Sequence, residues 1–254
     1  MPRSFIIAEA GVNHNGSPLL AMRLADVAKD CGADAVKYQL FSAAKLKRHE
    51  LRKLELSYDD MRLVAEHCAR IGIEFMCTPF DVEALDFLVS LGVKRLKISS
   101  GCLANWDLLY AAYQSGLPVI LSTGMGTMED VKRALGHLHA HVTLLHCTSA
   151  YPCPVSDVNL AAMRPGWGLS DHTEGIHIAI AAVARGAVAI EKHLTLYRKM
   201  EGPDQASSIE PPAFLDMVRC IRDVEAAIGD GVKRAMPSEK PCMEIWRRGE
   251  IRSA

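Results

Sequence analysis

One pattern constrains this chain more than any other: a short apolar run followed by a segment of helical periodicity, repeated along nearly its whole length. The strand candidates are FIIAEA (5–10), AVKYQL (35–40), EFMCTP (74–79), RLKISS (95–100), PVILST (118–123), VTLLHC (142–147), WGLSDH (167–172) and AIEKHL (189–194). Helices are predicted over 19–31, 57–72, 81–92, 106–116, 127–138, 175–186 and 211–229, the second with Ser57 as N-cap and Gly72 as its stop. The slot after the sixth strand holds only a short, weak candidate at 157–163. Strands alternating with helices imply a parallel sheet covered by helices. Eight such units in 254 residues match a (β/α)8 TIM barrel, assigned to residues 1–231. A doubly wound open sheet is the runner-up, but no GxGxxG follows the first strand to support it. Residues 232–254, which mix proline with charge, read as a C-terminal extension.

In a barrel of this kind, chemistry gathers where the strands end. Those ends are unusually polar here. They carry Glu9, Asn13 and His14; Lys37 and Gln39; Thr78 and Phe80; Lys97, Ser99 and Ser100; Ser122; His146 and, just beyond, Ser149 and Tyr151; Ser170 and His172; Glu191, Lys192 and His193. One polar strand end is ordinary rim. Eight in succession point to a shared pocket.

Side chains alternate along a strand, so Glu191 and His193 share a face, as do Ser170 with His172 and Lys37 with Gln39. With those faces inward, the imidazoles of His172 and His193 can meet one divalent metal ion, manganese before magnesium or cobalt, leaving positions for substrate and water. Inward lysines need an anionic partner. Lys37 and Lys97, with Thr78, Ser100, Ser122 and Ser170, therefore read as a cradle for phosphate.

Composition excludes several alternatives. A formal net charge of −1 gives no basic surplus for nucleic acid. No apolar run approaches the roughly 20 residues that span a bilayer, and the start shows no signal-peptide pattern. The 8 cysteines are scattered without a CxxC pair, as expected of a reduced, cytoplasmic protein.

The runs IIAEAGVNHNGS, AVKYQLF, FMCTPFD, LKISSG, PVILSTGM, LLHCTSAYP, GLSDHT, EKHLT and EGPDQASSIEP, in this order, resemble those of the sialic acid synthase family. That family includes the legionaminic and pseudaminic acid synthases and a spore-coat polysaccharide enzyme. The resemblance implies a (β/α)8 barrel that joins phosphoenolpyruvate to an amino-sugar aldehyde, releasing phosphate and a nonulosonic acid. It implies His172 and His193 as metal ligands, and Lys37, Thr78, Lys97, Ser100, Ser122 and Ser170 around phosphoenolpyruvate. Glu9, Gln39, Tyr151, Glu191 and Asp204 would surround the sugar and the reacting carbons, and Phe80 and Ser149 join the substrate-binding set.

Three points stand out against the family pattern. Cys102 occupies a catalytic position where the family usually has an acid. The connection FSAAKLKRHELRKLEL (41–56) is shorter than usual, and its basic character reads as a solvated loop before a phosphate grip. In that family a small antifreeze-like domain usually follows the barrel, and 232–254 resembles the approach to it. The implied partners are a second copy of the chain, or a separate chain carrying that domain. Two other readings stay open: an impaired barrel that binds metal and phosphoenolpyruvate as a binding or regulatory subunit, and a related phosphoenolpyruvate-dependent synthase of another keto-sugar acid.

Overall fold

The computed structural model describes residues 3–138 and 141–247; the last part of the extension, 248–254, lies outside the described residues. Eight parallel strands form it: β1 (Phe5–Gly11), β2 (Ala35–Leu40), β3 (Glu74–Pro79), β4 (Leu96–Ile98), β5 (Val119–Ser122), β6 (Val142–Cys147), β7 (Gly168–Asp171) and β8 (Ala189–His193). They are ordered β3-β2-β1-β8-β7-β6-β5-β4, and the two end strands, β3 and β4, lie beside each other, so the sheet curls into a nearly closed TIM barrel.

Outside it lie α1 (Pro18–Asp30), α2 (Tyr58–Ile71), α3 (Val82–Ser90), α4 (Trp106–Gln114), α5 (Met128–Leu138), α6 (His177–Ala184) and α7 (Pro211–Ile228). Local chemistry sets their ends. Ser57 Oγ accepts from the Asp60 N–H at 3.1 Å and the Asp60 carboxylate accepts from the Ser57 N–H at 3.2 Å, a reciprocal cap that starts α2. Gly72, at φ +74°, ends that helix in a conformation a side chain would resist. The weak slot after β6 is not an α-helix but two short 3-10 turns, Val155–Asp157 and Leu160–Ala162. Beyond the barrel, α8 (Lys240–Arg247) is a helix within the extension. No described helix is long and apolar enough to cross a membrane.

Alternation divides the buried residues into two layers. Ile6, Ala8, Val36, Leu121 and Ile190 face outward and pack against the helices. Ile7, Ala35, Met76, Ile120, Leu145 and Ala189 face inward and plug the lower barrel. One inward step further, the apolar plug gives way to Glu9, Lys37, Thr78, Lys97, Ser122, Ser170 and Glu191, all buried. The plug gives these groups a floor that excludes water from below.

Candidate active site

A cavity of about 710 Å³ opens above this layer at the carboxyl ends of the strands. Its wall takes in Glu9, Lys37, Gln39, Thr78, Phe80, Lys97, Ser100, Ser122, Ser149, Tyr151, Ser170, His172, Glu191, His193 and Asp204. Cys102 is the exception among the residues assigned a catalytic, substrate-binding or metal role from sequence. It sits in a 3-10 turn past β4, 5% exposed, and belongs to the outer apolar layer rather than to the cavity wall. Burial pushes its thiol up, so it is a neutral core side chain.

The charged floor is a chain of contacts. Lys37 Nζ lies 2.6 Å from Glu9 Oε2 and 3.7 Å from Glu191 Oε2, and donates to Thr78 Oγ1 at 3.0 Å. Lys97 Nζ donates to Ser122 Oγ at 2.8 Å; its carboxylate neighbour, Glu191 Oε1, is 3.6 Å away. Ser170 Oγ donates to Glu191 Oε1 at 2.9 Å, and Gln39 Nε2 donates to Glu9 Oε1 at 3.1 Å.

These contacts drive the two carboxyl groups apart. Burial would raise Glu191, but the charges of Lys37 and Lys97, with the Ser170 hydrogen bond, hold it down at about 2. Glu9 is raised: burial outweighs the pull of Lys37, and the Glu191 charge adds to it. Burial lowers Lys97, whereas for Lys37 burial is outweighed by Glu191 and Glu9 and the net direction is up. Two carboxyls pushed in opposite directions within one pocket divide into a fixed charge and a proton carrier.

The two imidazoles stand at the upper wall, ring centroids 5.5 Å apart, with the Tyr151 ring 4.2 Å from His172 and 5.7 Å from His193. His172 Nδ1 is 2.8 Å from the Thr148 carbonyl, to which it donates as Nδ1–H, leaving Nε2 on the cavity side, 3.3 Å from Ser170 Oγ. His193 Nδ1 is buried without a hydrogen-bond partner, 3.8 Å from Asp204 Oδ2. Burial pushes His193 down to about 4 despite Asp204, so it is neutral near pH 7, as a metal ligand must be. A backbone carbonyl orienting one ring and an orphaned nitrogen on the other fit a divalent ion. Among the described residues no group of three or more His, Cys, Asp or Glu side chains is arranged to hold a metal, so an ion here would draw its other ligands from substrate and water.

Backbone shape completes the pocket. At Gly124 an added Cβ would meet Ser149 Oγ at 2.3 Å and Ser100 Oγ at 2.9 Å, while its N–H donates to Ser100 Oγ at 2.9 Å. Gly11, at φ +51°, lets the chain pass under Glu9, Gln39 and Asp204, each within 3.4 Å of where a Cβ would lie.

Other polar strand-end residues face away. Asn13 Nδ2 donates to the Leu194 carbonyl and to Ser208 Oγ, both at 2.9 Å, and Asn15 Nδ2 donates to the Glu201 carbonyl at 2.7 Å. They strap the loop after β1 to the one that delivers Asp204. His146 bonds the Val158 carbonyl at 2.6 Å, under the 3-10 segment. Its neighbour Cys147 is the cavity thiol, 3.7 Å from Ser100 Oγ and 3.9 Å from His172 Nδ1. Alternation from Leu145 carried that signal. The 41–56 connection, read as a solvated loop, brings Phe41, Leu46, Arg48 and Leu51 to the cavity mouth.

This architecture has known counterparts. The model of the NeuB family matches residues 24–233. The chain is 41% identical to the N,N'-diacetyllegionaminic acid synthase of Campylobacter jejuni, covering 99% of the chain and 85% of that protein. That alignment runs to 284 positions, more than the 254 residues here, so the relative carries residues within the aligned span that this chain lacks. Identity to the human N-acetylneuraminate-9-phosphate synthase is 35%, over 94% of the chain and 75% of that protein. A solved N-acetylneuraminic acid synthetase from Leptospira borgpetersenii superposes with a TM-score of 0.88 at 36% identity, covering 99% of this chain and 93% of that one. A truncated 3-deoxy-D-arabino-heptulosonate 7-phosphate synthase from Thermotoga maritima, at TM-score 0.73 and 16% identity, shares the fold.

Proposed function

The chain belongs to the NeuB family, and on that premise we propose that it joins phosphoenolpyruvate to an amino-sugar aldose, giving a sialic-acid-like 2-keto sugar acid and phosphate. One observation carries the reading: two lysines, two carboxyls and two imidazoles, all buried, converge on one cavity with bonding capacity left over. Lys37 is already met by Glu9 at 2.6 Å, whereas Lys97 has only a hydroxyl that close. The phosphate and carboxylate of phosphoenolpyruvate supply the missing anions, held by Lys97, Ser122 and the Ser100–Gly124 cradle.

His172 through Nε2 and His193 through Nδ1 would hold a divalent cation, manganese before magnesium or cobalt, and such an ion supplies Lewis-acid polarisation of a carbonyl oxygen. Glu9 moves the proton that the aldehyde oxygen gains as the enol carbon bonds to the aldehyde carbon. Glu191, kept ionised, stabilises the positive charge that develops on the carbon bearing the phosphate ester. Water adds to that carbon and gives up a proton, and phosphate leaves.

The apolar mouth suits an N-acylated aldose without a distal phosphate. Phe41 and Phe80 meet edge to face with centroids 6.0 Å apart, Leu46 and Leu51 lie beside them, and Arg48 is engaged by Glu50. A second copy of the chain, or a separate antifreeze-like chain, would close over the half-exposed Tyr151 at this rim. Cysteines that are all unpaired fit a cytoplasmic setting.

Phosphate release from phosphoenolpyruvate with Mn2+, across N-acetylmannosamine, a diacetamido-trideoxyhexose and arabinose 5-phosphate, tests the proposal. Release that depends on an unphosphorylated amino sugar supports it. Phosphoenolpyruvate binding without release for any sugar would favour the barrel that binds without condensing.

A further inference from the structure

We infer that the buried Asp171–Lys192 pair, on the far side of the sheet from the cavity, is a positioning device for the metal-binding imidazoles, His172 above all. The inference deepens the metal reading proposed above and rests on it.

The ladder between β7 and β8 pairs Ser170 with Glu191 and Asp171 with Lys192, and no later pair follows. In that ladder His172 and His193 stand one residue beyond the last rung, but His193 still pairs with Glu9 of β1, whereas past His172 the backbone has only an isolated bridge from Cys153 to Thr173. What adds order at His172 is side-chain chemistry. Asp171 Oδ1 accepts from the Thr173 N–H at 2.9 Å and from its hydroxyl at 2.7 Å. Lys192 Nζ donates to the Thr173 carbonyl at 2.6 Å and to Asp171 Oδ2 at 2.8 Å. Both backbone polar groups of Thr173, the residue after His172, are thus held by the pair. The carbonyl of His172 itself accepts from the Cys153 N–H at 2.8 Å. The backbone that carries the imidazole is pinned on either flank without any of these groups reaching the cavity.

Stability alone does not account for such a pair. Both side chains are 1% exposed, in a layer where the outward neighbours on the same strands are Leu169 and Ile190. Apolar side chains of that volume are commonly as stabilising as a buried ion pair. They could not bond the N–H, hydroxyl and carbonyl of Thr173. That bonding is what the charges add, and its consequence is where His172 points.

The test uses the full chain carrying Asp171→Asn and Lys192→Met together. The double change removes both charges, keeps an acceptor for the Thr173 N–H and loses the clamp on its carbonyl. Mn2+ affinity, measured by calorimetry with the metal alone, is expected to weaken about 10- to 100-fold, the usual effect of removing a group that orients a ligand. In the metal-free protein, the ring 15N signals of His172 are expected to pass from one Nδ1-protonated form to a mixture of tautomers. Arg222→Met is the structural control: it breaks the Asp34–Arg222–Glu225 network elsewhere, so it lowers the melting temperature and leaves Mn2+ affinity unchanged. Mn2+ affinity within twofold of wild type in the double variant, with unchanged ring signals, would overturn the inference. If wild type takes up no Mn2+, the metal reading fails, and the ring signals alone decide the positioning role. Should the double variant not fold, Asp171→Asn alone carries the same two readouts.

Discussion

Lys192 and Lys97 are both buried at strand ends, 1% and 2% exposed, on opposite faces of the same sheet. Burial pulls both ammonium groups below the usual lysine value, so that property does not separate them. Geometry does. Lys192 has a carboxylate at 2.8 Å and a carbonyl at 2.6 Å. Lys97 has a hydroxyl at 2.8 Å, a carbonyl at 3.4 Å and its carboxylate neighbour no nearer than 3.6 Å. One cation is closed and the other is waiting for an anion. Burial of a charge marks a place where the fold has spent stability; unfilled bonding capacity marks a place where a ligand belongs.

The comparison is broken most severely at the closed lysine. Lys192→Met leaves Asp171 buried and unpaired, at a cost of about 3–5 kcal/mol, or about 10 °C in melting temperature for a chain of this size. Thermal unfolding checks it, and a shift below about 2 °C would mean that the pair contributes no more than a surface contact.

At the open lysine the pattern reverses. Lys97→Met removes a strained cation and should melt at or above wild type, while kcat/KM falls by about 10²–10³-fold, the usual effect of losing a preorganised charge partner. Unchanged kinetics with a lower melting temperature would reclassify Lys97 as structural.

A third prediction concerns His14, outside the cavity and 0% exposed, whose Nδ1 accepts from the Gly16 N–H at 3.1 Å. Burial pushes its imidazole down to about 4. The unfolded chain therefore takes up this proton first as pH falls from about 6.5, and stability drops by about 2 kcal/mol by pH 5. The gap between denaturant midpoints at pH 7 and pH 5 should narrow in His14→Gln, the remainder coming from His193, which burial holds equally low, and an identical pH slope in the variant would assign the loss elsewhere.

The smallest effect is expected at the cradle. Gly124→Ala places a Cβ against Ser149 and Ser100, and KM for phosphoenolpyruvate should rise about tenfold, about 1.4 kcal/mol, with little change in melting temperature.

Much of this was legible because a strand's period of two is rigid. From it, Lys37 and Gln39, Ser170 and His172, and Glu191 and His193 were set on common faces, and all six line the cavity. Lys192 was grouped with the polar strand ends and lies on the reverse face, outside the cavity wall. Most of what failed lay beyond the regular elements. Cys102 sits in a 3-10 turn past β4, where no period says which way a side chain points, and it turned into the core. His146 was grouped with the polar ends, although its inward neighbour by alternation was Cys147. Arg48, Leu46 and Leu51 reach the mouth from a loop whose path depends on contacts far away in sequence. The slot after β6 lacked a helical stripe, and the chain formed two 3-10 turns there.

The most direct measurement is the mass of the product. The chain is incubated with 13C3-labelled phosphoenolpyruvate, Mn2+ and an N-acylated aldose. The account predicts a 2-keto sugar acid that carries all three labelled carbons joined to the intact sugar, with one phosphate released per molecule formed. Phosphate appearing with labelled pyruvate while the sugar is recovered unchanged would contradict it, because the cavity would then hydrolyse phosphoenolpyruvate without making the carbon–carbon bond.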